Sequence, residues 1–248
     1  MITEEADVEA SPEEAWEAIA TGPGMDSWFM GRNEIEPQEG GRIALTVGDF
    51  TLTAKVTAWE PPTHFSSRSD PTPDGVFHQF DYRIDGRGPS ASTIRYEHSG
   101  MLTGDWEAEY EAMQRGDPVY FEKLTEYLRF FRGRFATPVN AYGPEVAAPD
   151  LAMAMYRHAL GIDPAAVVGD AVRFAPYGFE PEDGVVDHVS DEFVGVRTAD
   201  AMYRFIRAFN GQSMAGHHLF AAGVDQQRAE QQWTEWLNRL FAAPAAGG

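Results

Sequence analysis

The chain reads as an α+β protein in two parts, a larger one over 1–135 and a smaller one over 150–242. Three observations predict this. Residues 43–56 and 76–101 alternate apolar and polar side chains with a period of two, the pattern of half-buried antiparallel strands. Apolar residues at helical spacing bracket that stretch, from Ala15 to Ile19 before it and from Tyr120 to Phe131 after it. Strand and helix signals then recur in shorter form beyond residue 150. A helix that is apolar on one face must pack on something, and the preceding sheet is the nearest partner.

Ser11-Pro12-Glu13-Glu14 starts the first helix: Ser11 is placed to cap, Pro12 suits the first helical position, and Glu14 closes a capping box. Ala15, Trp16 and Ile19 form its apolar face, and Gly22-Pro23-Gly24 ends it. Trp28 and Phe29 fall in the irregular stretch that follows. Gly40-Gly41 turns the chain into strands, with Ile43, Leu45, Val47 and then Phe50, Leu52, Ala54, Val56 at alternate positions. Glu60-Pro61-Pro62 ends that hairpin, and Pro71-Thr72-Pro73-Asp74-Gly75 is a loop whose Asp-Gly favours a turn. Asp70 and Asp74 do not make a calcium loop, because Pro71 and Pro73 interrupt it and the distal Glu is missing. Two strands are expected at 76–84 and 92–101, then a helix over 117–131 with Pro118 in its first turn. Tyr120, Leu124, Tyr127, Leu128 and Phe131 share one stripe of that helix.

Residues 136–149 lose periodicity, gain Pro, Gly and Ala, and read as a linker. A helix over 150–160, short strands at 169–176 and 193–198, and a final helix over 225–241 follow. Asn210-Gly211 between 202–209 and 213–220 is the strongest short hairpin signal in the chain. Residues 243–248 read as a frayed tail. Thr125-Glu126-Tyr127-Leu128 recurs as Thr234-Glu235-Trp236-Leu237, each in an expected helix after a β hairpin, and Asp74-Gly75-Val76 recurs as Asp183-Gly184-Val185, each ahead of an expected strand. The second part therefore reads as an abbreviated copy of the first. A lid and a dimerisation element, and with it a homodimer, stay open as its role. His217-His218 invites a metal reading, but neighbours on a strand point to opposite faces, so no metal is expected.

The chain of 248 residues carries 19 Lys+Arg against 39 Asp+Glu, a formal charge of -20. A field of that sign repels phosphate backbones and anionic membranes, so neither nucleic acid nor membrane insertion is expected. Apolar residues make up 43% of the chain, enough for a real core. The absence of cysteine removes disulfides, thiolate nucleophiles and Cys-based metal sites. The N-terminus has neither a basic nor an apolar signal region, no apolar run is long enough to span a membrane, and the cytoplasm is the expected location. No Gly-rich phosphate loop, His-Glu-x-x-His or Gly-x-Ser-x-Gly is present, and no cofactor is expected.

Ser11-Pro12-Glu13-Glu14-Ala15-Trp16-Glu17-Ala18-Ile19, Trp28, Gly40-Gly41-Arg42-Ile43 and Trp59-Glu60-Pro61-Pro62, in this order, resemble the START-like (SRPBCC) superfamily. The similarity is greatest to the branch named for the activator of Hsp90 ATPase and covers roughly residues 3–131, about half the chain. Many members of that branch carry Gly-Trp near the start of the last helix, whereas this chain has Tyr120-Phe121 there and Trp106 earlier. The resemblance implies a helix-grip fold, a sheet curled around the long C-terminal helix. It also implies a cavity of the kind that holds lipids, sterols or polyketides.

Strand periodicity assigns the faces. Val76, His78, Phe80, Tyr82 and Ile84 share one, and Ile94, Tyr96 and His98 share another, while Gln79, Asp81, Arg83, Thr93, Arg95 and Glu97 face solvent. The candidate ligand-binding residues are Trp28, Phe29, His78, Phe80, Tyr82, Tyr96, His98, Tyr120 and Leu124. Apolar walls with a few oriented polar groups favour binding of a small apolar ligand over catalysis. The bland alternative for each Tyr and His is a core residue with its hydrogen bonds satisfied, and Trp16 and Trp59 read as packing. Trp106 is a further candidate for the cavity rim. The runner-up function is a cyclase, aromatase or hydrolase using His78, His98, Tyr82 and Tyr96. A chaperone-activating interaction module ranks last, because eukaryotic members of that branch use an additional N-terminal domain and the pattern here starts almost at residue 1.

Overall fold

The computed structural model describes residues 1–104, 106–208 and 210–242, so the tail expected over 243–248 and Phe209 lie outside the described residues. The chain divides into two compact units, Met1–Ala136 and Thr137–Gly248.

The first unit begins with β1 (Ile2–Val8), followed by α1 (Pro12–Ala20) and the short α2 (Gly22–Met25). Six strands follow: β2 (Arg32–Ile35), β3 (Arg42–Val47), β4 (Phe50–Glu60), β5 (His64–Ser69), β6 (Phe77–Gly86) and β7 (Ser92–Met101). The unit closes on α3 (Trp106–Phe130). The seven strands form one antiparallel sheet in the order β1-β7-β6-β5-β4-β3-β2. Long helix and curled sheet together make the helix-grip arrangement.

Helix α1 starts as its sequence dictates. Ser11 Oγ accepts the Glu14 amide at 3.2 Å, and the Ser11 amide donates to Glu14 Oε2 at 2.8 Å. Ser11→Ala is expected to cost about 1 kcal/mol, read as a lower midpoint of thermal unfolding. An unchanged midpoint would mean that packing alone sets this end of the helix.

Helix α3 corrects an expectation. It begins at Trp106, not 117, and Pro118 lies inside it. Pro118 gives up one backbone hydrogen bond, but the Glu-, Ala-, Met- and Gln-rich stretch before it has high helix propensity and carries the helix through. Thr93 is also corrected: it is buried, because β1 pairs alongside β7 and Thr93 Oγ1 donates to Asp7 Oδ1 at 2.7 Å.

The second unit runs β8 (Thr137–Glu145), α4 (Pro149–Ala159), β9 (Ala171–Phe174), β10 (Glu182–Val189), β11 (Phe193–Arg197), β12 (Ala201–Arg207), β13 (Gln212–Leu219) and α5 (Gln226–Leu240). Its antiparallel sheet has the order β8-β13-β12-β11-β10-β9. The stretch expected as a linker over 136–149 therefore contains a strand. Pro138 and Gly143 disguised it, yet β8 pairs with β13 along most of its length. Asp183-Gly184-Val185 sits inside β10, not ahead of a strand.

Both units follow one plan: a first strand that pairs with the last, helix, antiparallel meander, closing helix. The recurring four residues sit in the two closing helices, where Tyr127, Leu128, Trp236 and Leu237 are all buried. The second unit lacks one strand of the plan and fills its interior with aromatics. Trp233 lies 4.0 Å from Phe179, 4.5 Å from His217 and 5.5 Å from Phe205, ring centre to ring centre.

Candidate functional site

The first unit holds a cavity of about 380 Å³ between the inner face of its sheet and the N-terminal half of α3. Eight of the nine residues singled out from the sequence line it: Trp28, Phe29, His78, Phe80, Tyr82, Tyr96, His98 and Tyr120. Leu124 does not. It lies one turn further along α3, fully buried in the core below. Trp59 is also outside the lining, packed against Trp16 at 4.9 Å and Phe65 at 5.9 Å. Trp106 is outside it too, half exposed at the start of α3.

The walls are built by the pleat. Phe80 pairs with His98, and Tyr82 with Tyr96, so inward side chains of β6 and β7 stand side by side. The ring centres of Phe80 and His98 are 4.3 Å apart and those of Tyr82 and Tyr96 5.0 Å. Tyr120 from α3 meets Phe29 at 5.2 Å, and Phe121 stacks on Tyr96 at 6.0 Å. Ile35, Ile43, Leu45 and Leu52 complete the apolar side. Trp28 is fixed by donating its indole N–H to the Ala18 carbonyl at 2.9 Å.

One polar line crosses this surface. The His78 amide donates to Ser69 Oγ at 2.9 Å. His78 Nδ1 lies 3.0 Å from His98 Nε2, and His98 Nδ1 lies 2.6 Å from Asp117 Oδ2. His98 is buried, 4% exposed. Burial pushes the phenols of Tyr82 and Tyr96 above their ordinary range; the coupling between the two rings adds for Tyr96, and the Asp117 charge adds for both. Both phenols therefore stay protonated donors. Among the described lining residues Asp117 is the one carboxylate, and no Lys or Arg is present.

Asp117, Ser67 and Ser69 were not singled out from the sequence. Asp117 had a signal: it shares the apolar stripe of Tyr120, Leu124 and Leu128, where a charged residue is out of place. Reading Pro118 as a helix start hid it.

In the second unit His217 sits in the aromatic interior and accepts the Arg204 amide at 3.1 Å. Among the described residues no group of three or more His, Asp or Glu side chains is arranged to hold a metal ion, and no helix is long and apolar enough to cross a membrane.

Comparison with the curated proteins finds no match. Among solved structures, a Bacillus halodurans protein is 26% identical over 52% of this chain and 96% of its own, with a TM-score of 0.43. The Aha1 dimer from Colwellia psychrerythraea is 21% identical over 53% of this chain and 98% of its own, with a TM-score of 0.43. The di-domain ARO/CYC protein BexL from the BE-7585A biosynthetic pathway is 11% identical over 96% of this chain and 93% of its own, with a TM-score of 0.47. The family described as polyketide cyclase / dehydrase and lipid transport matches residues 1–126. With the helix-grip sheet, its closing helix and the cavity between them, this match shows that the chain belongs to that family, within the START-like (SRPBCC) superfamily.

Proposed function

We infer that the first unit binds a small, mostly apolar, uncharged molecule of polyketide- or lipid-like character. The observation that carries this reading is the aromatic-walled cavity of about 380 Å³, crossed by a single polar line. A volume of this size lies at the lower end of the range of small-molecule sites. Apolar walls supply affinity through the area they remove from water, and the few polar groups orient the ligand. A free fatty-acid carboxylate would have no Lys or Arg partner among the described lining residues and would meet Asp117. Neutral ring systems are favoured for that reason.

The test is a titration of the intact chain with 2-tetralone and with palmitate, followed by tryptophan fluorescence. Saturable binding of tetralone at one site per chain is expected, with palmitate weaker. Gly116 supplies the control. It lines the cavity on α3, and a Cβ added there meets nothing within 4 Å. Gly116→Leu is expected to weaken tetralone binding at least tenfold by filling the space. It also removes a mid-helix glycine, which stabilises the fold by about 0.5–1 kcal/mol. Weaker binding in a more stable protein separates cavity filling from damage. Unchanged affinity would move the ligand elsewhere.

A further inference from the structure

We propose that Asn33 selects the ligand by its functional group: the amide oxygen of this residue takes the hydrogen of a hydroxyl, so the occupant of the cavity is a neutral, largely apolar phenol or alcohol. The proposal rests on the cavity reading above and adds to it the group by which one apolar ligand is told from another.

Asn33 stands on β2, an edge of the sheet, where it pairs with Leu45 of β3. It is 5% exposed and lines the cavity. From α2 to β3 every other described lining residue is a Met, Ile, Leu or aromatic side chain. The polar line of Ser69, His78, His98 and Asp117 belongs to β5, β6, β7 and α3, and β3 and β4 lie between those strands and β2. An amide at this end of the sheet is out of keeping with its surroundings, because asparagine is disfavoured in strands and costly to bury without partners.

Half of the amide has a structural task. Nδ2 donates to Asp26 Oδ1 at 3.2 Å and to the Met30 carbonyl at 3.2 Å. A backbone carbonyl only accepts, so the atom that meets Met30 is the nitrogen, and the orientation of the amide is settled. Asp26 also accepts the Asn33 backbone amide at 2.6 Å and the Arg32 guanidinium at 3.0 Å. These bonds tie β2 to the turn after α2. They use both hydrogens of Nδ2 and leave Oδ1 accepting from no described residue. The other polar hydrogen among the lining side chains from α2 to β3, the indole N–H of Trp28, is spent on the Ala18 carbonyl. A structural role thus accounts for the donors of Asn33 and not for its acceptor. A buried acceptor without a partner is the costly state, and a ligand hydroxyl relieves it. A ketone or ether oxygen cannot, because two acceptors then face each other.

The experiment is calorimetric titration of the intact chain with 2-naphthol and with 2-methoxynaphthalene. The first donates a hydrogen bond from its oxygen, and the second only accepts. 2-Naphthol is expected to bind roughly tenfold more tightly. Asn33→Leu keeps the branched shape and removes the acceptor, while Asp26 retains the backbone amide of residue 33 and Arg32. In that variant the ratio of affinities is expected to fall to about one. A ratio taken within one variant cancels any loss of affinity that comes from damage to the fold. A measurement on the unsubstituted chain stands beside it. The carbon-13 signal of the Asn33 side-chain carbonyl is expected to move more with 2-naphthol than with the ether, since the ring is common to both and the hydrogen bond is not. Equal affinities in the unsubstituted chain, or a carbonyl signal that moves alike with both compounds, overturn the role of Asn33 and leave the cavity reading standing. A preference for 2-naphthol that survives Asn33→Leu also overturns it and moves the hydroxyl to the polar line. If neither compound binds, this inference falls, and the cavity reading falls with it only when 2-tetralone also fails to bind.

Discussion

Replacing Asp187 with Ala is expected to destabilise the second unit by about 3–5 kcal/mol. The Arg204 and Asp187 side chains are each only 2% exposed, and Arg204 NH1 donates to Asp187 Oδ1 at 2.7 Å. The same nitrogen reaches the Tyr203 carbonyl at 3.1 Å. Arg204 Nε and NH2 and Asp187 Oδ2 find no hydrogen-bond partner among the described residues, so the pair is incompletely satisfied even when intact. Removing the carboxylate leaves a guanidinium in the interior with no counter-charge from this pair, which is the costly half of a buried ion pair. Gly195 shows how tightly the pair is housed: a Cβ there would lie 2.4 Å from both Arg204 NH1 and Asp187 Oδ1. Gly195→Ala is therefore expected to behave like the loss of Asp187. The double change Asp187→Leu with Arg204→Met removes both charges and is expected to recover most of the loss. Urea unfolding of the four proteins checks this. A single-variant loss below about 1 kcal/mol would place the pair in the range of solvated surface pairs and sink the argument.

Trp28→Ala is expected to cost the first unit about 3–5 kcal/mol. Trp28 is 1% exposed, and its indole satisfies a carbonyl that helix geometry leaves orphaned. The last turn of α1 has no intrahelical donors for its carbonyls; Thr21 Oγ1 donates to Glu17 at 2.7 Å and Trp28 Nε1 to Ala18 at 2.9 Å. The ring also forms part of the cavity wall. The variant should thus be less stable and hold a larger, less selective cavity. Trp28→Phe keeps most of the bulk and drops the hydrogen bond, so its cost should fall to about 1–3 kcal/mol. Thermal unfolding compared with tetralone affinity separates the two effects. Equal losses for Phe and Ala would mean that the hydrogen bond, not the ring volume, carries the contribution.

Elements with a strong period or an unambiguous punctuation were legible before any coordinates. The capping box of α1, the alternation along β3, β4, β6 and β7, and the hairpin turn at Asn210-Gly211 are local events, each set by a few neighbouring residues. Strands with weak local signals were not. β1 is an edge strand that turns Thr3, Glu5 and Asp7 away from the core. Ser and Arg dominate β5, and Pro and Gly interrupt β8. All three hold because a partner strand supplies hydrogen bonds and burial that no local window records.

The same division runs through the site. Alternation told which side chains share a face, and so most of the cavity lining was named from the sequence. It could not tell which neighbour each would meet. His78 and His98 are 20 positions apart and His98 and Asp117 are 19, and only the β6–β7 register and the docking of α3 close those gaps. Nor could it tell a hollow interior from a filled one. Two units with one plan differ because Trp233 occupies the interior of the second, whereas the first leaves space beside Gly116. Side-chain periodicity is a property of the backbone and is written locally. Register, contact and empty volume arise from how distant elements pack, and those the tertiary structure alone decided.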